Sequence, residues 1–238
     1  AAQAPEPMPV TEAEKGTEPQ QPRVSSASFA LIESTTQDQI TMLEVAYPSG
    51  DLTVRGFLFL PPGQGKHPAV IFNHGGVSGV SNDMKRRSRD LATLGYVVLA
   101  PSYRGEDGSD GVVEVAAGEV DDVLAGADIL SRHPRVDGAR MAITGTSHGA
   151  LISVLAAARE PERFRCVVAA CGVMAVDDWY RYLVANDFDV SDSLSVAIYG
   201  SGPEDKPEAF RKRNAILVVD QIQAPVLLQQ GMRDKIVP

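Results

Sequence analysis

With 238 residues, 44% of them hydrophobic and 22% charged, the chain has enough material for one sizeable globular domain with a real core. Its net charge of −9 argues against nucleic acid or an anionic membrane surface as the main partner, and no apolar run is long enough to span a bilayer. Cys166 and Cys171 stand five apart in one strand-like run, beyond bridging distance, and read as buried free thiols.

Residues 1 to about 25 are rich in Pro, Glu, Gln and Ala without an apolar period, the composition of a disordered tether, which is taken to run to about residue 35. A small-residue start ahead of such a tether resembles a mature exported protein, so a periplasmic or secreted location is expected. Residues 40–47 and 52–60 alternate in the strand manner around Pro48-Ser49-Gly50-Asp51 and predict an antiparallel hairpin. Ala69 to Phe72 reads as a buried strand that delivers Asn73-His74-Gly75-Gly76 to a loop.

A helix is predicted from about Asn82 to Leu94, capped by Ser81 or Asn82, with Met84, Leu91 and Leu94 as its apolar stripe. Its basic cluster, Lys85, Arg86, Arg87 and Arg89, reads as a solvated face. Tyr96 to Ala100 is another buried strand, followed by a Gly/Asp-rich loop over residues 105–111. The helix at about 117–132 turns Val120, Val123, Leu124, Ala127 and Leu130 inward and Glu119, Asp121, Asp122 and Asp128 outward.

Met141 to Thr144 then predicts a strand buried on both faces, and Ala150 to Arg159 a helix, with Gly145-Thr146-Ser147-His148-Gly149 between them. A serine between a buried strand and a helix start needs a very sharp turn. Glycines at 145 and 149 leave room for it, because side chains there would strike the neighbouring strand or helix. This is the pattern of a nucleophile elbow, with Ser147 held proud of the sheet above the helix N-terminus. Cys166 to Ala170 predicts the next strand, residues 174–215 a helical insertion covering the site, and Pro225 to Gln229 a last strand. Strands alternating with helices give an α/β fold, a mainly parallel sheet with an antiparallel start and helices on both faces.

The succession resembles the α/β-hydrolase family, most closely its prolyl-oligopeptidase-like and dienelactone-hydrolase-like branches. The pieces that carry the likeness are His74-Gly75-Gly76, the Gly95 to Pro101 strand, Tyr103-Arg104-Gly105, Asp121-Asp122, Asp137 with Arg140, the Gly145 to Gly149 elbow, and Gly231-x-x-Asp234-x-x-Val237-Pro238. Together they cover about residues 40–238. The resemblance implies a serine hydrolase cutting a small-molecule ester or a peptide, carboxylester before peptide, through a Ser147 acyl-enzyme. Asp234 would be the acid that orients the base, with Asp177 or Asp178 as its substitute. The oxyanion would be held by the backbone N–H of His148 and one from Gly76 or, failing that, Gly75.

Trp179 and Tyr180 could wall a substrate pocket, or could be ordinary core aromatics. No metal or organic cofactor is implied, and the oligomeric state is not readable. The departure from the pattern is the base. The only histidines are His67, His74, His133 and His148, and none suits the role: His74 is better placed to order the oxyanion loop, and the His148 ring should point away from Ser147. The expectation is a chain incomplete at its C-terminus, lacking a strand, the histidine loop and a closing helix. A partner subunit supplying the base and a natural pseudoenzyme used as a binding protein are the alternatives.

Overall fold

Three antiparallel strands precede the first parallel pairing in the computed structural model, which describes residues 24, 25 and 27–238. The strands are β1 (Ala30–Gln37), β2 (Ile40–Ser49), β3 (Leu52–Leu60), β4 (His67–Asn73), β5 (Val97–Pro101), β6 (Val136–Thr146), β7 (Val167–Ala170) and β8 (Val226–Gln229). They form one 8-stranded sheet in the order β1-β2-β3-β5-β4-β6-β7-β8, parallel from β5 onward through β8. The predicted hairpin is β2 and β3, in register from Thr41↔Leu60 to Ser49↔Leu52.

The expected tether over residues 1–23 lies outside the described residues, but its extension to residue 35 does not hold. Ala30–Gln37 is an edge strand paired with β2 from Ala30↔Ala46 to Gln37↔Ile40. Nearly every side chain of β1 is exposed, so no hydrophobic alternation marks it, and the backbone ladder alone makes it a strand. At the opposite edge β8 leaves Val226, Leu227 and Leu228 exposed.

The helices are α1 (Asn82–Thr93), α2 (Gly118–Ser131), α3 (His148–Arg159), α4 (Val176–Ala185), α5 (Ser193–Tyr199) and α6 (Pro207–Arg211). Ser81 caps α1 as predicted, its hydroxyl accepting from the Met84 N–H at 3.2 Å, whereas Leu94 is 73% exposed and no part of the apolar stripe. Arg86 and Arg87 turn outward and pair with Asp83, as a solvated face should, whereas Lys85 and Arg89 are half-buried, Lys85 Nζ lying 3.7 Å from the centre of the Phe57 ring. Between β6 and β7, α3 is buried from His148 to Ala158, and it packs on β4, β6 and β7. The last three helices form the insertion between β7 and β8. Cys166 and Cys171 flank β7; both are free thiols as expected, but half-buried. Among the described residues no helix is long and apolar enough to cross a membrane.

Two acids of α2 reverse their predicted direction. Val120, Val123, Leu124, Ala127 and Leu130 are buried as the spacing requires, but so are Glu119 and Asp122. Glu119 accepts the backbone N–H groups of Glu114, Val115 and Ala117, which lets residues 115 and 116 hold positive φ without glycine. Asp122 takes both the main chain and the guanidinium of Arg104, with contacts of 2.8 to 3.0 Å. That contact holds the Arg104 guanidinium more firmly protonated than usual. Asp122→Ala would strand this cation with much of its compensation gone and is expected to cost about 3–5 kcal/mol, read as a lowered denaturant midpoint.

Candidate active site

The turn at Ser147 is where the backbone departs furthest from comfortable geometry. Ser147 has φ 54° and ψ −121°, a conformation that costs a non-glycine residue about 1–3 kcal/mol and persists only when its surroundings fix it. They do. Its N–H donates to the Ala170 carbonyl at the end of β7, and its carbonyl accepts from Ala150 and Leu151 in the first turn of α3. The flanking glycines permit the close packing. A Cβ on Gly145 would strike the Gly149 carbonyl, and one on Gly149 would strike the carbonyl oxygens of Asn73 and His74. Helix α3 therefore starts hard against the end of β4, and the first N–H groups of α3, which have no intrahelical acceptor, face the carboxyl edge of the sheet.

The loop leaving β4 reaches the same spot. A Cβ on Gly75 would lie 2.9 Å from the Thr146 carbonyl oxygen and 3.2 Å from Ser147 Cβ, so the loop passes too close to the serine for residue 75 to carry a side chain. His148 Nδ1 lies 2.9 Å from the Gly76 carbonyl and must donate to it. Burial pushes the His148 pKa down, leaving a neutral ring that locks Gly76 against the start of α3. A cavity of about 280 Å³ opens beside this loop, lined in part by Phe72, His74, Gly75, Ser78 and Thr146. A larger one, about 410 Å³ and lined by Arg104, Asp121, Leu155 and Arg159, lies toward the other end of α3, roughly 15 Å along the helix from Ser147.

Asp234 follows β8 and Ser147 follows β6, and β7 lies between these parallel strands. Both residues thus leave the same carboxyl edge of the sheet, their strands about 10 Å apart. Asp234 Oδ1 accepts the N–H groups of Ile236 at 2.9 Å and Val237 at 3.0 Å, and the Val237 and Ile236 bonds pull its pKa below the usual carboxylate range. The substitute acids are engaged elsewhere: Asp177 binds Asn214 at 2.7 Å and Arg181 at 3.3 Å, and Asp178 is exposed.

Helix α4 grips the Asp234 turn. Trp179 Nε1 donates to the Ile236 carbonyl at 2.8 Å and the Tyr182 hydroxyl to the Lys235 carbonyl at 3.0 Å. Tyr180 does not wall a pocket: its ring is buried against Tyr199 and Phe210 as the insertion's own core. The four histidines divide cleanly. His67 opens β4 and His133 follows α2, both at the amino edge of the sheet, away from Ser147. His74 and His148 sit beneath the loop, their rings both against Tyr103. The residue that sequence reasoning missed is Glu106, whose carboxylate is buried 2.9 Å from His74 Nε2. A carboxylate in a Gly/Asp-rich stretch looks solvated, and no local signal marked it otherwise.

Among known proteins, the chain is 29% identical over 196 residues to an uncharacterized peptidase of Bacillus subtilis, YtmA, spanning 82% of this chain and 74% of that one. It is 27% identical over 224 residues to acylamino-acid-releasing enzyme 2 of Oryza sativa subsp. japonica, covering 85% of this chain but only 28% of that protein's length. Its fold superimposes on acetyl xylan esterase 1 from a Thermoanaerobacterium species with a TM-score of 0.68 at 22% identity, over 92% of this chain and 75% of the other. Residues 83–238, from the first turn of α1 to the Asp234 turn, match the prolyl oligopeptidase family, peptidase S9. With the elbow and the parallel sheet that carries it, that match makes the chain a member of the prolyl oligopeptidase family of serine hydrolases.

Proposed function

We propose that Ser147 attacks the carbonyl carbon of a small ester, forming an acyl-enzyme that water then hydrolyses. In the first step the Ser147 Oγ–carbon bond forms, the serine proton passes to a base, and the alcohol leaves with that proton. The charge on the carbonyl oxygen is taken by the His148 N–H and by the N–H of Gly76, with Gly75 as the second choice. Asp234 orients the imidazole that serves as base. None of the four histidines in residues 1–238 stands where it could take the Ser147 proton. His74 Nδ1 faces the Gly75 carbonyl and its other edge is buried against Glu106, the His148 ring is turned onto Gly76, and His67 and His133 lie at the wrong edge.

The observation that carries the reading is the strained Ser147 backbone with Gly75 so close beside it that a side chain there would not fit. A hydroxyl at the tip of such a turn supports Ser147 as the nucleophile, and the closeness of the neighbouring loop supports it as the oxyanion's holder. The likeness of the fold to that of an acetyl xylan esterase is in keeping with a small acyl group. Likeness to an uncharacterized peptidase and to an acylamino-acid-releasing enzyme keeps a second reading, peptide cleavage by the same serine.

The test is covalent labelling. The full-length protein treated with an alkyl fluorophosphonate should carry one adduct, mapped by mass spectrometry to the peptide containing Ser147. A folded protein that takes no label would favour a non-catalytic binding protein on the hydrolase fold. Comparing turnover of 4-nitrophenyl acetate with that of an N-acetylated peptide 4-nitroanilide separates the two hydrolytic readings.

A further inference from the structure

The contacts that hold the loop beside Ser147 extend one layer deeper than His148. Glu106, in the Gly/Asp-rich loop after β5, has a side chain only 3% exposed, and one of its oxygens lies 2.9 Å from Nε2 of His74, itself 3% exposed. The contact is off the line of the ring N–H, and among the described residues the carboxylate accepts no hydrogen bond. A buried acid so placed is costly unless its neighbour compensates it, and His74 is that neighbour.

His74 Nδ1 lies 3.1 Å from the Gly75 carbonyl, which can only accept, so Nδ1 carries hydrogen. The His74 ring is pinned from three sides. Glu106 meets one edge, the Gly75 carbonyl meets another, and the Tyr103 ring stacks at 4.2 Å with 25° between planes. The Tyr103 hydroxyl donates to the His74 carbonyl at 3.3 Å. The next acid, Asp107, accepts the Val80 N–H at 2.9 Å, so one loop fastens both ends of the segment from residue 74 to 80.

We infer that Glu106 is a positioning residue for the oxyanion loop, acting through His74. The inference rests on the assignment of Gly76 and Gly75 to the oxyanion. By fixing the ring, Glu106 fixes the direction of the Gly75 carbonyl and with it the peptide plane that carries the Gly76 N–H. A donor displaced by a fraction of an ångström from the developing oxyanion loses its effect in the transition state while leaving substrate binding nearly intact.

The experiment uses the full-length protein with 4-nitrophenyl acetate and an alkyl fluorophosphonate. Glu106→Gln, which keeps size and burial, is expected to lower kcat about 10- to 100-fold with KM within about twofold, and to slow labelling of Ser147 in parallel. Glu106→Asp should recover part of kcat. If Glu106→Gln fails to fold, the same kcat-against-KM split is read from Glu106→Asp, with kcat expected about tenfold down. A folded variant with wild-type kcat, or a kcat loss fully accounted for by loss of folded protein, overturns the positioning role alone. A folded wild-type protein that is neither labelled at Ser147 nor active overturns the oxyanion assignment, and the role with it.

Discussion

Ser147→Ala in the full-length protein is expected to lower 4-nitrophenyl acetate turnover by about 10⁵- to 10⁶-fold and to abolish fluorophosphonate labelling. The size follows from what is removed. Without the hydroxyl no acyl-enzyme forms, and only the loop's N–H donors and the shape of the cleft remain to assist attack by water. The fold should survive, because the bonds that set the turn are main-chain ones: Ser147 N–H to Ala170, and its carbonyl to Ala150 and Leu151. Alanine can make all of them, so the thermal midpoint should stay within a few degrees. Residual turnover within tenfold of wild type in a folded variant would remove Ser147 from the chemistry.

Asp234→Asn comes next in size, at about 10⁴-fold in kcat with little change in KM. The carboxylate is held ionised by the N–H groups of Val237 and Ile236, so across neutral pH it would present a full charge to the ring it is proposed to orient. An amide offers no charge to stabilise an imidazolium and favours the wrong tautomer. Asp177→Asn is the control. Tied to Asn214 and Arg181, Asp177 is expected to shift kcat by about twofold at most. A large loss at 177 with none at 234 would move the acid to the end of β7.

Much of this site could be read from the chain because it rests on steric demands that are local in sequence. Gly145 and Gly149 face backbone atoms close along the chain or one strand away, and a strand–glycine–serine–glycine–helix succession admits few geometries. The apolar face of α2 and the Ser81 cap were legible for the same reason, since burial periodicity and capping act within a turn or two. What escaped was set by partners distant in sequence. Glu119 and Asp122 looked like a solvent face until three N–H groups of the preceding loop and the Arg104 guanidinium were brought to them. Glu106 depends on a histidine 32 positions earlier (106 − 74), and β1 on a backbone ladder to β2 with almost no side-chain burial. Ion pairs and edge pairing leave no period in the sequence, so composition assigns such residues to solvent.

The grip of α4 on the Asp234 turn has a consequence for how members of this family could exchange parts. Trp179 and Tyr182 read the carbonyls of Ile236 and Lys235, the two residues just past Asp234, so the inserted helix is part of the scaffold that sets the direction of the Asp234 carboxylate. A transplanted insertion of another shape would have to bring its own donors to those carbonyls. Without them, a chimera could bind a new substrate well and still turn it over slowly.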